Sequence, residues 1–274
     1  LNPGWKNPSR TSELRMHQTG AAVTDWVLGV TCLCCAWSII QRGSTVAQRI
    51  EPCFVAALLC EGCACCVGGF SWALGTNLKE LDDLMMHDWI IVLCMVTGMA
   101  GEGLALMAGA RALDAATEEK VVSRWKLRMC VAFAGVVVYE AACIASSARG
   151  TLSTGALLLQ PAWLPAAGWL YVLHAACSRE MVEGVSARLL AVGAALNLAG
   201  AAVIGIYDNR CAGTSCISEL LPWENSPCLA ATTALASCPL PAGFNHAAIM
   251  HCFATAGAWV VLQGLNSSHR SKTS

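Results

Sequence analysis

The chain has 274 residues, of which 56% are hydrophobic and 13% charged, about half the ~25% charged share of a soluble domain. Its 17 basic and 18 acidic residues leave a net charge of −1, and nucleic acid is not an expected partner. The charges cluster between long apolar runs, which argues against a buried soluble bundle and for a polytopic membrane protein in a lipid bilayer.

Seven runs near the ~20 residues that a bilayer requires follow in order: 22–41, 52–75, 89–110, 129–147, 155–177, 186–206 and 244–264. They predict an all-α fold, a single seven-transmembrane-helix bundle over 1–274. It has a polar N-terminal tail (1–21), a long cysteine-containing loop (207–243) and a polar C-terminal tail (265–274). The first span opens on Thr24-Asp25 and carries Cys32, Cys34 and Cys35. The second holds the run Cys60-Glu61-Gly62-Cys63-Ala64-Cys65-Cys66 and closes past Ser71-Trp72. His87-Asp88 opens the third, which also holds Glu102, and Glu140 lies in the outer half of the fourth. Gln160-Pro161 and Pro165 mark the fifth, where proline should kink or break a helix. Asn197 in the sixth reads as a hydrogen-bonding link between helices. The seventh begins at Asn245-His246 and reaches His251 within its first turns. No internal repeat is evident. The chain starts at leucine with no signal peptide before the first span, as in a fragment or a processed form.

Seven spans put the termini on opposite faces. One face carries Arg42, Arg49, Arg111, Lys120, Arg124, Lys126, Arg128, Arg179, Arg188, Arg270 and Lys272; the other has Lys6, Arg10, Arg15, Lys79, Arg149 and Arg210. The positive-inside rule then predicts a cytoplasmic C-terminus and an outward N-terminus. Trp26, Trp72, Trp89 and Trp163 fall near the outer ends of the spans, and Trp37, Trp125 and Trp259 near the inner ends. Indole favours that depth because its N–H seeks a wet partner.

Thirteen of the 17 cysteines lie in or beside the spans. The 60–66 run reads as small apolar thiols that let helices pack closely, since no second cluster has a metal-site spacing. Cys211, Cys216, Cys228 and Cys238 sit instead in the outer 207–243 loop, where disulfides persist in an oxidising compartment. Four cysteines allow three pairings, and the sequence does not choose. A loop of this length is expected to be a lid, a binding loop or disordered.

Ionisable groups within the spans form two layers. Glu61 and Glu102 share a depth; if they face each other one stays protonated, because neighbouring carboxylates resist ionising together. They read as a proton or cation path, or as a neutral acid hydrogen-bonded between helices. Nearer the outer face the topology gathers Asp25, Ser71, His87, Asp88, Glu140, Asn245, His246 and His251. Histidines with carboxylates from several helices are what a zinc site with a hydrolytic water needs. His246 and His251 stand five apart, about 140° around an ideal helix.

The Thr24-Asp25 start, Gly68-Gly69-Phe70-Ser71 and the segment from Asn245-His246 to His251 resemble the seven-helix superfamily of alkaline ceramidases and progestin and adiponectin receptors. The resemblance implies a zinc held by three histidines, with a serine and an aspartate close by. It assigns the serine to Ser71 and the last-helix pair to His246 and His251. The family's histidine one turn after the serine is Gly75 here, which leaves His87 as the third ligand. The family's last-helix pair is four apart, against five in this chain.

The leading expectation is therefore a zinc-dependent hydrolase of a lipid amide or ester. Zinc on His87, His246 and His251 would activate water, with Ser71 nearby and Asp25 or Asp88 as base or orienter. A non-enzymatic seven-helix receptor or scaffold, using the 207–243 loop for contacts, is the alternative. The third reading is a proton or ion transporter using Glu61, Glu102 and Glu140. A retinal protein is disfavoured, since the last span has no lysine for a Schiff base.

Overall fold

A computed structural model describes residues 8–42, 49–75, 85–147, 163–211 and 246–266. Those residues form seven helices: α1 (Pro8–Arg42), α2 (Glu51–Gly75), α3 (Met85–Leu113), α4 (Glu119–Ser147), α5 (Trp163–Ser178), α6 (Ala187–Cys211) and α7 (His246–Leu265). The chain is all-helical among the described residues, apart from one isolated bridge between Asp114 and Met181. Among the described residues four stretches are long and apolar enough to cross a membrane: Gly20–Gln41, Glu51–Phe70, Ala187–Ile204 and Ala247–Leu265. In hydrocarbon a helix satisfies its own backbone donors and acceptors, so apolar runs of this length fold as helices.

Several element boundaries differ from the sequence expectation. Helix α1 begins at Pro8, so most of the expected N-terminal tail is a polar extension of the first helix. Proline suits a first helical position, where its missing N–H is no loss. Helix α4 starts ten residues before the apolar run at 129. Its first turn is organised by Glu118, whose carbonyl accepts from Val121 N at 2.9 Å and Val122 N at 3.1 Å. Helix α5 carries Pro165 in its first described turn, where proline is tolerated, and Gln160-Pro161 lies outside the described residues. Helix α6 runs to Cys211, so the first five residues of the expected 207–243 loop are helical; 212–243 lie outside the described residues, and so does any pairing of the loop's cysteines.

The helices close into a ring in which α1 packs on α2, α2 on α3, α3 on α5, α5 on α6, α6 on α7, and α7 back on α1. Helix α4 stands outside this ring against α3. Small residues allow the close crossings. A Cβ on Gly103 of α3 would lie 2.3 Å from the Leu164 carbonyl of α5, and one on Gly193 of α6 3.0 Å from the Gly257 oxygen of α7. The outer surface is apolar, with Trp37, Leu127, Val131, Val138, Trp163 and Trp259 all more than half exposed. That surface is compatible with a lipid environment.

One end of the ring is filled by large side chains: Phe54, Leu106, Leu113, Val122, Val172, Leu190 and Val261 are each below 2% exposed. A polar knot ties the connections beneath them. Arg49 Nη2 donates to the carbonyls of Asp114, at 3.3 Å, and Thr117, while Lys126 Nζ donates to Arg49 O at 2.9 Å. The Ala116 amide donates to Asp114 Oδ1 at 3.0 Å, and Arg179 pairs with Asp114 Oδ2. Ala115 N donates to Glu180 O and Val182 N to Leu113 O, each at 3.0 Å. Gly184 turns this connection at φ 86°, a region that glycine enters without strain. Ser186 then opens α6: its Oγ accepts from Leu189 N at 3.4 Å, and its own N–H donates to Gly264 O at 2.9 Å.

Burial by itself would raise the Asp114 carboxyl, but hydrogen bonds from Arg179, Thr117 and the Ala116 amide, with the Arg179 charge, hold it below its ordinary value. An acid depressed in the folded state adds stability that is complete above its unfolded pKa and lost as pH falls through the folded one. Thermal unfolding in detergent is therefore expected to weaken below about pH 4. Asp114→Asn should flatten that acid limb while lowering the plateau; an unchanged limb would remove Asp114 as its source.

Candidate functional site

At the opposite end the buried residues are small: Ala21, Ala22, Ala64, Ala100 and Ala248. They let α1, α2, α3 and α7 converge closely, and polar side chains meet within. Asp25 and His251 are 4% and 5% exposed. His251 Nε2 lies 2.9 Å from Asp25 Oδ1, and His251 Nδ1 lies 3.0 Å from Thr24 Oγ1. The Thr24 hydroxyl also lies 2.8 Å from Gly20 O and 3.0 Å from Ala21 O.

Thr24 has one proton to donate. If it goes to a helix carbonyl, Nδ1 carries a hydrogen and donates to Thr24. Nε2 then either accepts from a protonated Asp25 or belongs to an imidazolium facing a carboxylate. If Thr24 donates to Nδ1 instead, Nε2–H donates to the Asp25 carboxylate. These arrangements share one set of heavy-atom positions, so a proton can shift between Asp25 and His251 without a rotamer change.

Deeper in the ring Cys65 Sγ donates to Glu61 Oε1 at 3.5 Å, one helical turn away on α2. Glu61 and Glu102 of α3 line one small cavity, and two carboxyls that share a site resist ionising together. Glu102 is 4% exposed and accepts from Trp169 Nε1 of α5 at 2.9 Å. A cavity of about 10 Å³ adjoins the pair, lined by Glu61, Glu102, Trp169, Asn197, Leu28 and Phe54. It has room for roughly one water. Asn197 is not a simple interhelical link: its Nδ2 donates to Gly193 O of its own helix at 2.9 Å.

Thr24, Asp25 and His251 thus form one buried polar cluster, and Cys65, Glu61, Glu102 and Trp169 gather deeper in the ring, the two groups being contributed by five helices. Of the expected outer layer, Asp25 and His251 come together; the side chains of Ser71, His87, Asp88, Glu140 and His246 lie outside the described residues, as does Asn245. Trp169 had no role in the sequence reading, although a mid-span tryptophan needs a partner for its N–H. Cys65 was read only as packing, yet its place four residues after Glu61 puts the two on one helix face. His174, near the end of α5, is exposed and meets Ser178 Oγ at 3.2 Å.

Of the expected zinc ligands only the His251 side chain is described. Both of its ring nitrogens are engaged, so a metal there requires the Asp25 or Thr24 contact to open. Among the described residues no group of three His, Cys, Asp or Glu side chains could hold an ion. The cysteines of the 60–66 run are free thiols. Cys66 packs on Gly29 and Cys60 on Gly101, the small-residue role expected of them.

Comparison with known proteins finds no matching family model, curated protein or solved structure.

Proposed function

We propose that this integral membrane protein completes a seven-span bundle and moves protons through its interior. The observation that carries this reading is the succession of buried groups able to hold a proton, Asp25 with His251 nearer one end of the ring and Glu61 with Glu102 deeper in it. Asp25 lies about 8 Å inside the apolar stretch of α1, at 1.5 Å per residue from Gly20. Glu61 lies nine residues from Phe70, the end of the apolar stretch of α2, or about 14 Å, near the middle of a ~30 Å hydrocarbon core. Ionisable groups at that depth are costly and mark proton relays in pumps and transporters.

Below the carboxyl pair Phe54, Leu106, Val172, Leu190 and Val261 close the ring. The succession is therefore an access path from one face ending at an apolar plug, and transfer to the other face needs helix movement. That favours a gated, transporter-like cycle over an open pore.

Purified protein in liposomes carrying a pH-sensitive dye, energised by a potassium gradient with valinomycin, tests the reading. Proton uptake is expected to exceed that of empty liposomes, and Glu61→Gln or Glu102→Gln should reduce it at least tenfold. Uptake equal to that of empty liposomes, or undiminished in both variants, would refute the assignment.

A further inference from the structure

Helix α4 stands outside the ring, with Phe133 resting over Gly101 of α3, and its opposite face is open. Along that face Lys120, Arg124, Arg128, Val131, Gly135 and Val138 fall within about 40° either side of Arg124 on an ideal helix. The three basic residues are exposed. Val131 and Val138 are 65% and 68% exposed, and a Cβ on Gly135 would meet nothing within 4 Å. We infer that this stripe binds an anionic phospholipid, its headgroup on Arg124 and Arg128 and one acyl chain along Val131, Gly135 and Val138. The inference rests on α4 crossing the bilayer, as in the seven-span reading, and is independent of proton movement.

The stripe changes character where a bilayer does. Arg128 is the last charge before the apolar run at 129, and Arg124 stands about 6 Å above it. The two guanidiniums therefore bracket a headgroup layer of roughly 5–8 Å. From Arg128 to Val138 the helix rises about 15 Å, half of a ~30 Å hydrocarbon core and so the depth of one leaflet. Trp125 marks the same level. Arg111 of α3 lies 5.3 Å over its ring, and indole settles at the membrane interface.

Charge selects the occupant. Guanidinium forks match phosphate oxygens, and three cations on one stripe call for a counter-charge that the described chain does not supply. Asp114 is taken by Arg179. Glu118 and Glu119 are turned about 120° and 140° from Arg124, and no described carboxylate pairs with Lys120, Arg124 or Arg128. The adjoining segments 43–48 and 267–274 contain no acid. A zwitterionic lipid brings its own cation, so a net negative headgroup is the better match. A second copy of the chain is disfavoured. Identical copies share one orientation in a membrane, so α4 paired with α4 about a two-fold axis sets each arginine at the depth of its twin.

Native mass spectrometry of the full chain, released from micelles titrated with phosphatidylglycerol or phosphatidylcholine of equal chain length, reads the binding. Wild type should hold the anionic lipid about tenfold more tightly, and Arg124→Gln/Arg128→Gln should bring the two lipids within about twofold. Arg42→Gln/Arg188→Gln removes the same charge elsewhere at that end of the ring and should keep the preference. Equal loss in both double variants would mean a diffuse field and overturns the inference, as does a wild type without preference. Displacement by glycerol phosphate would assign the arginines to a free phosphate ester, and a dimer abolished by Val138→Arg would assign the face to a second copy; either overturns it. Epitope tags inserted at 45–46 and 150–151 of the full chain should lie on opposite sides of the membrane. Tags on one side defeat the seven-span reading and the inference together, whereas opposite sides with no lipid preference defeat the inference alone.

Discussion

Replacing Asp25 by alanine is expected to destabilise the protein by about 3 kcal/mol, the cost of leaving one member of a buried pair without its partner. Asp25 and His251 are both nearly inaccessible, and among the described residues His251 Nε2 pairs with Asp25 alone. Removing the carboxylate strands that nitrogen in hydrocarbon, where no water offsets the loss. Asp25→Asn should cost less, because the amide keeps a donor and an acceptor at the same place. The double variant Asp25→Ala/His251→Phe should recover part of the loss, since an apolar pair needs no partner. Reversible unfolding in mixed micelles measures all three. A loss below about 0.5 kcal/mol for Asp25→Ala, the level of an ordinary surface change, would mean that the contact adds nothing to the fold.

Gly103→Ala is expected to cost a similar amount, about 3 kcal/mol, by overpacking, and to stop proton movement as well. The new methyl would lie 2.3 Å from the carbon and oxygen of the Leu164 carbonyl and 2.8 Å from Leu164 Cβ. Backbone atoms cannot rotate aside, so α5 must move away from α3. Trp169 travels with α5, and the indole bond to Glu102, next in sequence to the glycine, opens. A single methyl thus acts on stability and on the carboxyl pair together. Gly135→Ala is the control: its Cβ would meet nothing within 4 Å on the outer face of α4. It should be neutral or stabilise by up to ~1 kcal/mol, the helix propensity gained. Equal melting temperatures for the two variants would contradict the packing account.

Hydropathy made the all-helical character legible, because apolar runs of bilayer length have few other ways to satisfy their backbone. It described the ends of those runs less well. Helix α1 extends through Ser9, Arg10, Ser12 and Glu13, and α4 through Lys120, Arg124 and Lys126, since an emergent helix loses nothing by continuing into polar residues. Alternating topology was enough to bring Asp25 and His251 to one layer, and Glu61 and Glu102 to another. It could not reveal the partners within the deeper layer. Those depend on the tryptophan that α5 brings to Glu102 and on the thiol that α2 places one turn from Glu61. Rotation about a helix axis leaves little trace in a sequence whose faces are nearly all apolar.

Ring closure also has a consequence for how the chain is made. Thr24 and His251 are separated by 227 positions, so α1 enters the bilayer long before its seal arrives. At ~5–20 residues per second the ribosome needs roughly 10–45 s to reach the last helix. Throughout that interval Asp25 waits in the membrane without its imidazole. Its place five residues into the apolar stretch keeps it close enough to the headgroups to borrow water in the meantime. The final helix therefore does more than add a span: its insertion evicts that water and locks the barrel shut.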